Sequence, residues 1–225
     1  MDMNSIANAV SATSAAWSHL FYLYLVLGFV LSAIFVAWVL YLVISTRARP
    51  GREKTNNIKP GVIPSADRGR RRNVVFLVLF LAIVFYGLYI YQLPVTNYMR
   101  DVPDTSHVLV IDVYAQQWSW TFHYPNGYNV TGAETIKNYT IEFPTNTTII
   151  FKVTSRDVMH EFSIPALDVK VDAYPGVWNS IWTEVYQPGT YIVFCTELCG
   201  LGHATMWARL NFVSPAQYNA WINSK

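Results

Sequence analysis

Two long apolar runs, followed by many short alternating ones, divide the chain. Leu20 to Ile44 holds 25 residues without a charge, and Val74 to Tyr91 holds another 18, continuing through Gln92-Leu93-Pro94 to Val95. The hydrocarbon core of a bilayer takes about 20 apolar helical residues, so both runs predict spans and residues 1–95 a transmembrane hairpin. A signal peptide has a shorter apolar core followed by a small-residue cleavage site, which the first run lacks. From residue 96 onward the pattern changes. Val108–Tyr114, Trp118–Tyr124, Tyr139–Phe143, Thr148–Thr154, Asn179–Val185, Tyr191–Cys195 and Trp207–Val213 are short, β-branched or aromatic, and separated by turn residues. That spacing predicts a β-sandwich or barrel over residues 96–225. Ser214-Pro215 reads as an N-cap with proline at the first helical position, opening a short helix through Trp221.

Composition agrees: 52% of the residues are apolar and 13% charged, which excludes an ordinary soluble domain. The formal charge of +2 hides a split. Residues 45–73 carry nine Lys or Arg against Glu53 and Asp67, and Arg68, Arg70, Arg71 and Arg72 stand directly before the second span. Basic excess in a short loop marks the cytoplasmic side. Both termini and residues 96–225 are therefore expected outside, in a multi-pass protein of the cell or inner membrane. Its setting in a lipid bilayer accounts for the arginine run without a nucleic-acid partner. Residues 96–225 hold 7 basic and 11 acidic residues, a net of −4. Neither span contains an acid, a base or a histidine, so no proton relay is expected inside them. Asn-x-Thr sequons at Asn129, Asn138 and Asn146 fall on the outer side, where glycosylation can occur. No Cys-x-x-Cys-His announces a fused cytochrome c domain.

The chemistry is concentrated in Cys195-Thr-Glu-Leu-Cys-Gly-Leu-Gly-His-Ala-Thr-Met206, which holds both cysteines of the chain. Sulfur and imidazole packed this closely suit copper, zinc or iron rather than magnesium or calcium. Glycines at 200 and 202 free the backbone to curl, and the strand-like runs on either side make a rigid mount. A disulfide between Cys195 and Cys199, two ordinary buried thiols, and a Cys₂His₂ zinc site with a distant histidine are the other readings. His203 and Met206 favour copper, because a disulfide needs neither and a thioether is a common weak ligand for copper. His160, in Asp157-Val158-Met159-His160, follows the strand-like run 148–154 and supplies a further ligand.

In this order, Asp-Val-x-His, then Val171-Asp172-Ala173-Tyr174-Pro175-Gly176, then Cys-x-Glu-Leu-Cys-Gly-x-Gly-His-x-x-Met, the chain resembles subunit II of the haem-copper cytochrome oxidases. The resemblance extends to the aromatic run Gln117–Tyr124 and to the two spans, so it covers nearly the whole chain. It implies a cupredoxin-like sandwich behind a two-helix transmembrane hairpin. It implies two copper ions in a binuclear CuA centre, bridged by Cys195 and Cys199, with His160 and His203 completing the two sites. Met206 and the backbone carbonyl of Glu197 are the weak ligands. The Glu197 side chain is expected to reach a magnesium ion at the boundary with subunit I, which carries the haem. Trp118 matches the tryptophan through which electrons enter; strand alternation is expected to point Trp120, two residues on, to the opposite face. Asp157 and Asp172 match acidic positions where a cationic donor docks. The resemblance implies electron input to a terminal oxidase from cytochrome c or another basic carrier such as a blue-copper protein, with oxygen reduction and proton translocation in another chain. The copper subunit of a nitric oxide reductase is the neighbouring alternative. A membrane-anchored surface domain with a Cys195–Cys199 disulfide is the alternative of another class.

Overall fold

The computed structural model describes residues 10–47, 71–101 and 108–225. Two helices come first, α1 (Ala12–Thr46) and α2 (Arg71–Arg100). Each is long and apolar enough to cross a membrane, and their large apolar side chains are mostly exposed, as they would be in lipid. The Tyr24 hydroxyl donates to Gln92 Oε1 at 3.2 Å, joining the two helices. Most of the basic segment between them, residues 48–70, lies outside the described residues.

Ten strands follow among the described residues: β1 (Val108–Gln116), β2 (Ser119–His123), β3 (Asn129–Gly132), β4 (Glu142–Pro144), β5 (Thr148–Ser155), β6 (His160–Ile164), β7 (Val169–Ala173), β8 (Asn179–Glu184), β9 (Gly189–Cys195) and β10 (Trp207–Val213). They form two five-stranded sheets, ordered β3-β2-β1-β5-β8 and β4-β10-β9-β6-β7. Pairing is antiparallel except at β1–β5 and β4–β10. Period-two alternation directs Ile111, Val113, Trp120, Phe122 and Phe151 inward from the first sheet, where they are fully buried. Phe143, Phe162, Val193 and Leu210 meet them from the second sheet, and the aromatic rings make a chain of edge-on contacts such as Phe151–Phe143 at 5.4 Å. Ser214 caps α3 (Pro215–Ile222) through a capping box with Gln217, as the Ser-Pro pair predicts.

Seven of the strands fall where alternation predicts them. β3, β6 and β7 do not follow from it. β6 is buried along its whole length; Glu161 and Ser163 alternate with Phe162 and Ile164, but over only five residues that were read for the histidine. β7 alternates, but over only five residues within a stretch read for its motif. β3 ends in Gly132, where a Cβ would stand 2.7 Å from Ala208 Cβ; that approach needs a glycine.

The compact units are not the simple halves of the chain. The described residues of Met1–His19 cluster with those of Val95–Lys225, and Leu20–Pro94 forms the other unit. Ser11 and Thr13 are fully buried, and both hydroxyls donate to the Leu167 carbonyl. The Tyr186 N–H donates to the Val10 carbonyl at 3.0 Å. The start of α1 is thus stitched to the sandwich.

Trp118 and Trp120 have different surroundings, but strand alternation is not the cause, since residues two apart share a face. Trp118 precedes β2, in the turn out of β1. Trp120 is fully buried, its ring 5.3 Å from Phe162 and 6.3 Å from His160. Its indole N–H has no partner among the described residues, so Trp120→Ala removes packing and no hydrogen bond. The expected loss is about 3–5 kcal/mol, measurable by denaturant unfolding of the detergent-solubilised protein.

Candidate metal centre

Strand pairing assembles the centre. His160 opens β6 and Cys195 closes β9. These strands run antiparallel with Phe162 opposite Cys195, so both residues come to one end of the sandwich. Beyond Cys195 the chain loops through Gly200 at φ +112° and a short 3₁₀ turn, His203–Thr205. The Cys195 N–H donates to the Met206 carbonyl at 3.0 Å, closing the loop at its base. Gly200 holds a conformation that residues with a Cβ rarely adopt.

Five sulfur and nitrogen donors and one carbonyl converge there. The Cys195 and Cys199 sulfurs are 3.6 Å apart, and both cysteines are free and buried. His160 Nδ1 lies 3.7 Å from Cys195 Sγ, and His203 Nδ1 lies 3.5 Å from Cys199 Sγ. Met206 Sδ is 3.8 Å from Cys199 Sγ, and the Glu197 carbonyl oxygen is 3.2 Å from Cys195 Sγ. The nearest ligand atoms of His160, Cys195 and Cys199 all lie within 4.8 Å of one another. The set falls into matching halves, each with one sulfur, one imidazole nitrogen and one weak donor.

Electrostatics favour a cation at this point. Burial works to raise the Cys195 thiol, but His160, backbone groups of Glu161 and Glu197, and Cys199 outweigh it and lower its pKa to about 7. Burial, then the neighbouring Cys195, pushes Cys199 up to about 12. One thiolate suppresses the other, because two like charges this close in a desolvated pocket repel. Only a positive charge between them lets both ionise. A soft, multiply charged metal ion suits sulfur and imidazole donors, so the residues present fit copper.

His160 is held from behind. Its Nε2 stands 2.8 Å from Asp157 Oδ1, the arrangement in which a carboxylate fixes a ligand's tautomer and ring orientation. Burial works to raise the Asp157 carboxyl, but the Gln117 N–H, His160 and the Val158 N–H together bring it below its usual range. The Asp172 carboxylate accepts from the Tyr174 hydroxyl at 3.1 Å. Glu161, next to His160, takes a hydrogen bond from Thr196 at 2.6 Å and an ion pair from Lys170 at 3.0 Å. The Glu197 side chain is half-buried on the loop.

Trp118 lies against the loop. Its Nε1–H donates to the Cys199 carbonyl at 3.4 Å, and the Gln117 side-chain amide donates to the same oxygen at 2.7 Å. Sequence reading singled out Trp118 and passed over Gln117, whose role comes from a contact 82 positions away and leaves no local signal. Val158, Met159, Leu198 and Leu201 are exposed and line a shallow hollow with Gln117, Cys199 and Gly200. His123 is elsewhere, on the outer face of the first sheet against Tyr114 at 4.7 Å.

A sandwich joined to two membrane-length helices, with a soft-donor pocket at one end, defines a membrane-anchored, cupredoxin-like protein with a candidate metal centre. The family model "Cytochrome C oxidase subunit II, periplasmic domain" matches residues 133–213. The "Heme-copper oxidase subunit 2" of Aeropyrum pernix is 32% identical over 222 residues, covering 94% of this chain and 91% of that one. Cytochrome c oxidase subunit 2 of Saccharomyces cerevisiae is 29% identical, covering 92% and 83%. A probable cytochrome c oxidase subunit 2 from Rickettsia felis is 32% identical, but this chain spans only 54% of its length. Among solved structures, the periplasmic domain of subunit II from Bradyrhizobium japonicum cytochrome oxidase is 31% identical. It covers 55% of this chain and 96% of its own, with a TM-score of 0.50. The chain belongs to the haem-copper oxidase subunit II family and is a subunit of a terminal oxidase.

The contact between Trp118 and the loop depends on Gly202. A Cβ there would stand 2.4 Å from Trp118 Cδ2, so Gly202→Ala must displace the indole. The expected result is an altered near-ultraviolet circular dichroism spectrum with the far-ultraviolet strand signal retained. An unchanged tryptophan signal would count against the packing.

Proposed function

We propose that this chain is the electron-input subunit of its oxidase, holding a binuclear copper centre on the outer side of the membrane. The convergence of two free buried cysteines with two imidazoles, a thioether and a carbonyl carries this reading. Cys195 and Cys199 are assigned as bridges, His160 and His203 as the terminal nitrogen ligands, and Met206 and the Glu197 carbonyl as the weak ones. A copper pair bound there supplies a redox centre whose charge change is spread over two ions and their ligands. The chain's own contribution is rigidity: a strand-loop-strand mount and Asp157 behind His160 keep the donors in place.

The electron donor docks from outside, and the acceptor is the haem of subunit I, where oxygen is reduced. Trp118, packed on Gly202 and bonded to the Cys199 carbonyl, is the assigned point of entry. The net −4 of residues 96–225 steers a basic carrier, cytochrome c or a blue-copper protein, over the Debye length. Asp157 and Asp172 contribute to that field. The Glu197 side chain is the assigned magnesium ligand toward subunit I. Both spans cross the membrane with the basic loop in the cytoplasm and both termini outside.

The detergent-solubilised chain loaded with copper is expected to hold two coppers per chain in a purple, mixed-valence state. One copper, with the unpaired electron on a single nucleus by paramagnetic resonance, would refute the binuclear assignment. Cys199→Ser should leave something closer to a single-copper spectrum. Met206→Leu should keep the pair and shift its potential, since the thioether is the weak ligand. Oxygen consumption by the native complex, with none of nitric oxide, separates a terminal oxidase from a nitric oxide reductase.

Trp118→Ala is expected to slow turnover with the natural donor by orders of magnitude while copper content and spectrum stay intact. A fast artificial reductant should still reduce the centre at the wild-type rate. Equal slowing with both reductants, or copper loss, would make Trp118 a packing residue only.

A further inference from the structure

We infer that Gln117 is a positioning residue for the metal centre, clasping the arm that carries His160 to the loop that carries both cysteines. The inference rests on the binuclear reading above and extends it to a residue that touches no ligand atom. Gln117 makes two hydrogen bonds in different directions. Its backbone N–H donates to Asp157 Oδ2 at 2.8 Å, and the other oxygen of that carboxylate is the one 2.8 Å from His160 Nε2. Its side-chain amide donates to the Cys199 carbonyl at 2.7 Å. The two segments it joins are 42 positions apart, at Asp157 and Cys199, and β6–β9 pairing holds them together only at their strand ends.

Trp118 Nε1 reaches the same carbonyl, but at 3.4 Å, near the limit for a hydrogen bond. Gln117 is therefore the strong donor to that oxygen. The space it uses is kept open by Gly200, where a Cβ would come 2.9 Å from Gln117 Nε2. Gln117 is itself exposed, so no core packing explains its anchoring at both ends. Its removal leaves no cavity.

A clasp of this kind acts on the metal by fixing how far the Cys199 loop can move from His160. Donors held at constant separation need little rearrangement when the charge on the centre changes, and the ion leaves slowly. Loss of a hydrogen bond one step behind a ligand typically costs about 10–100-fold in metal affinity.

The test uses the full chain in detergent, loaded with copper, as wild type, Gln117→Met and Gln117→Glu. Methionine keeps the length without the donor, and glutamate turns an acceptor toward an acceptor. Both keep the backbone N–H to Asp157. Copper release to a strong chelator should be about tenfold faster in Gln117→Met and faster again in Gln117→Glu. The copper hyperfine pattern and the reduction potential should change in both, while the unfolding midpoint of the copper-free protein stays at the wild-type value. A wild-type copper pair with both variants unchanged in release, spectrum and potential overturns the inference alone. Equal destabilisation of copper-free and copper-loaded variants also overturns it, making Gln117 an ordinary turn residue. A wild-type chain that holds no copper pair overturns the underlying reading and this inference together.

Discussion

The short antiparallel contact between β6 and β9 is the constraint on which the site depends. Only Phe162–Cys195 and Ser163–Phe194 are in register, with one further bond from the Thr196 N–H to the Glu161 carbonyl at 3.2 Å. A slip of one residue would turn every side chain of one strand to the opposite face, sending His160 outward and Trp120's neighbour Phe162 out of the core. The hydrophobic packing that fixes Phe162 therefore also fixes the imidazole two positions away. Stability and ligand geometry are enforced by the same side chains.

A second level of organisation surrounds the donors. The polar groups bonded directly behind them are occupied: Asp157 by backbone amides and His160, Glu161 by Thr196 and Lys170, the Cys199 carbonyl by Gln117 and Trp118. The open donors all point at one volume. Two thiols whose proton affinities are driven apart by burial and proximity do not both ionise until a cation sits between them, so the site favours a charge of one sign. The surface above Cys199 is apolar by contrast, with Leu201 fully exposed.

Much of this was legible in the chain. The spans, seven strands and the capped terminal helix follow from hydrophobic period and punctuation, because lipid and a one-sided core both impose simple patterns. The cysteine loop is legible because five of its donors lie within twelve residues and soft ligands cluster for few other reasons. Trp120 is buried because it shares the inward face of β2 with Phe122, and Trp118 differs because it lies before the strand, not through alternation. β6 was missed because its alternation of Glu161 and Ser163 with Phe162 and Ile164 is too short to stand out. Gln117 was missed because its partners are distant in sequence, and hydrogen bonds of that range have no local signature. The partition of the chain into compact units was equally hidden, since Ser11 and Thr13 look like ordinary polar residues before a span.

Those two hydroxyls bear on the order in which the protein is made. Leu167 and Thr183, the partners of Thr13, are synthesised 154 and 170 positions after it. Thr13 therefore leaves the ribosome long before its partner exists, and the first span follows it directly. The segment around Ser11 and Thr13 must meet the sandwich before those hydroxyls are paired. A polypeptide cut to residues 96–225 would carry the whole cysteine loop, yet expose the Leu167 carbonyl and Thr183 hydroxyl to water where the full chain covers them. Completion of this domain is thus coupled to a segment that the linear map assigns to the membrane anchor.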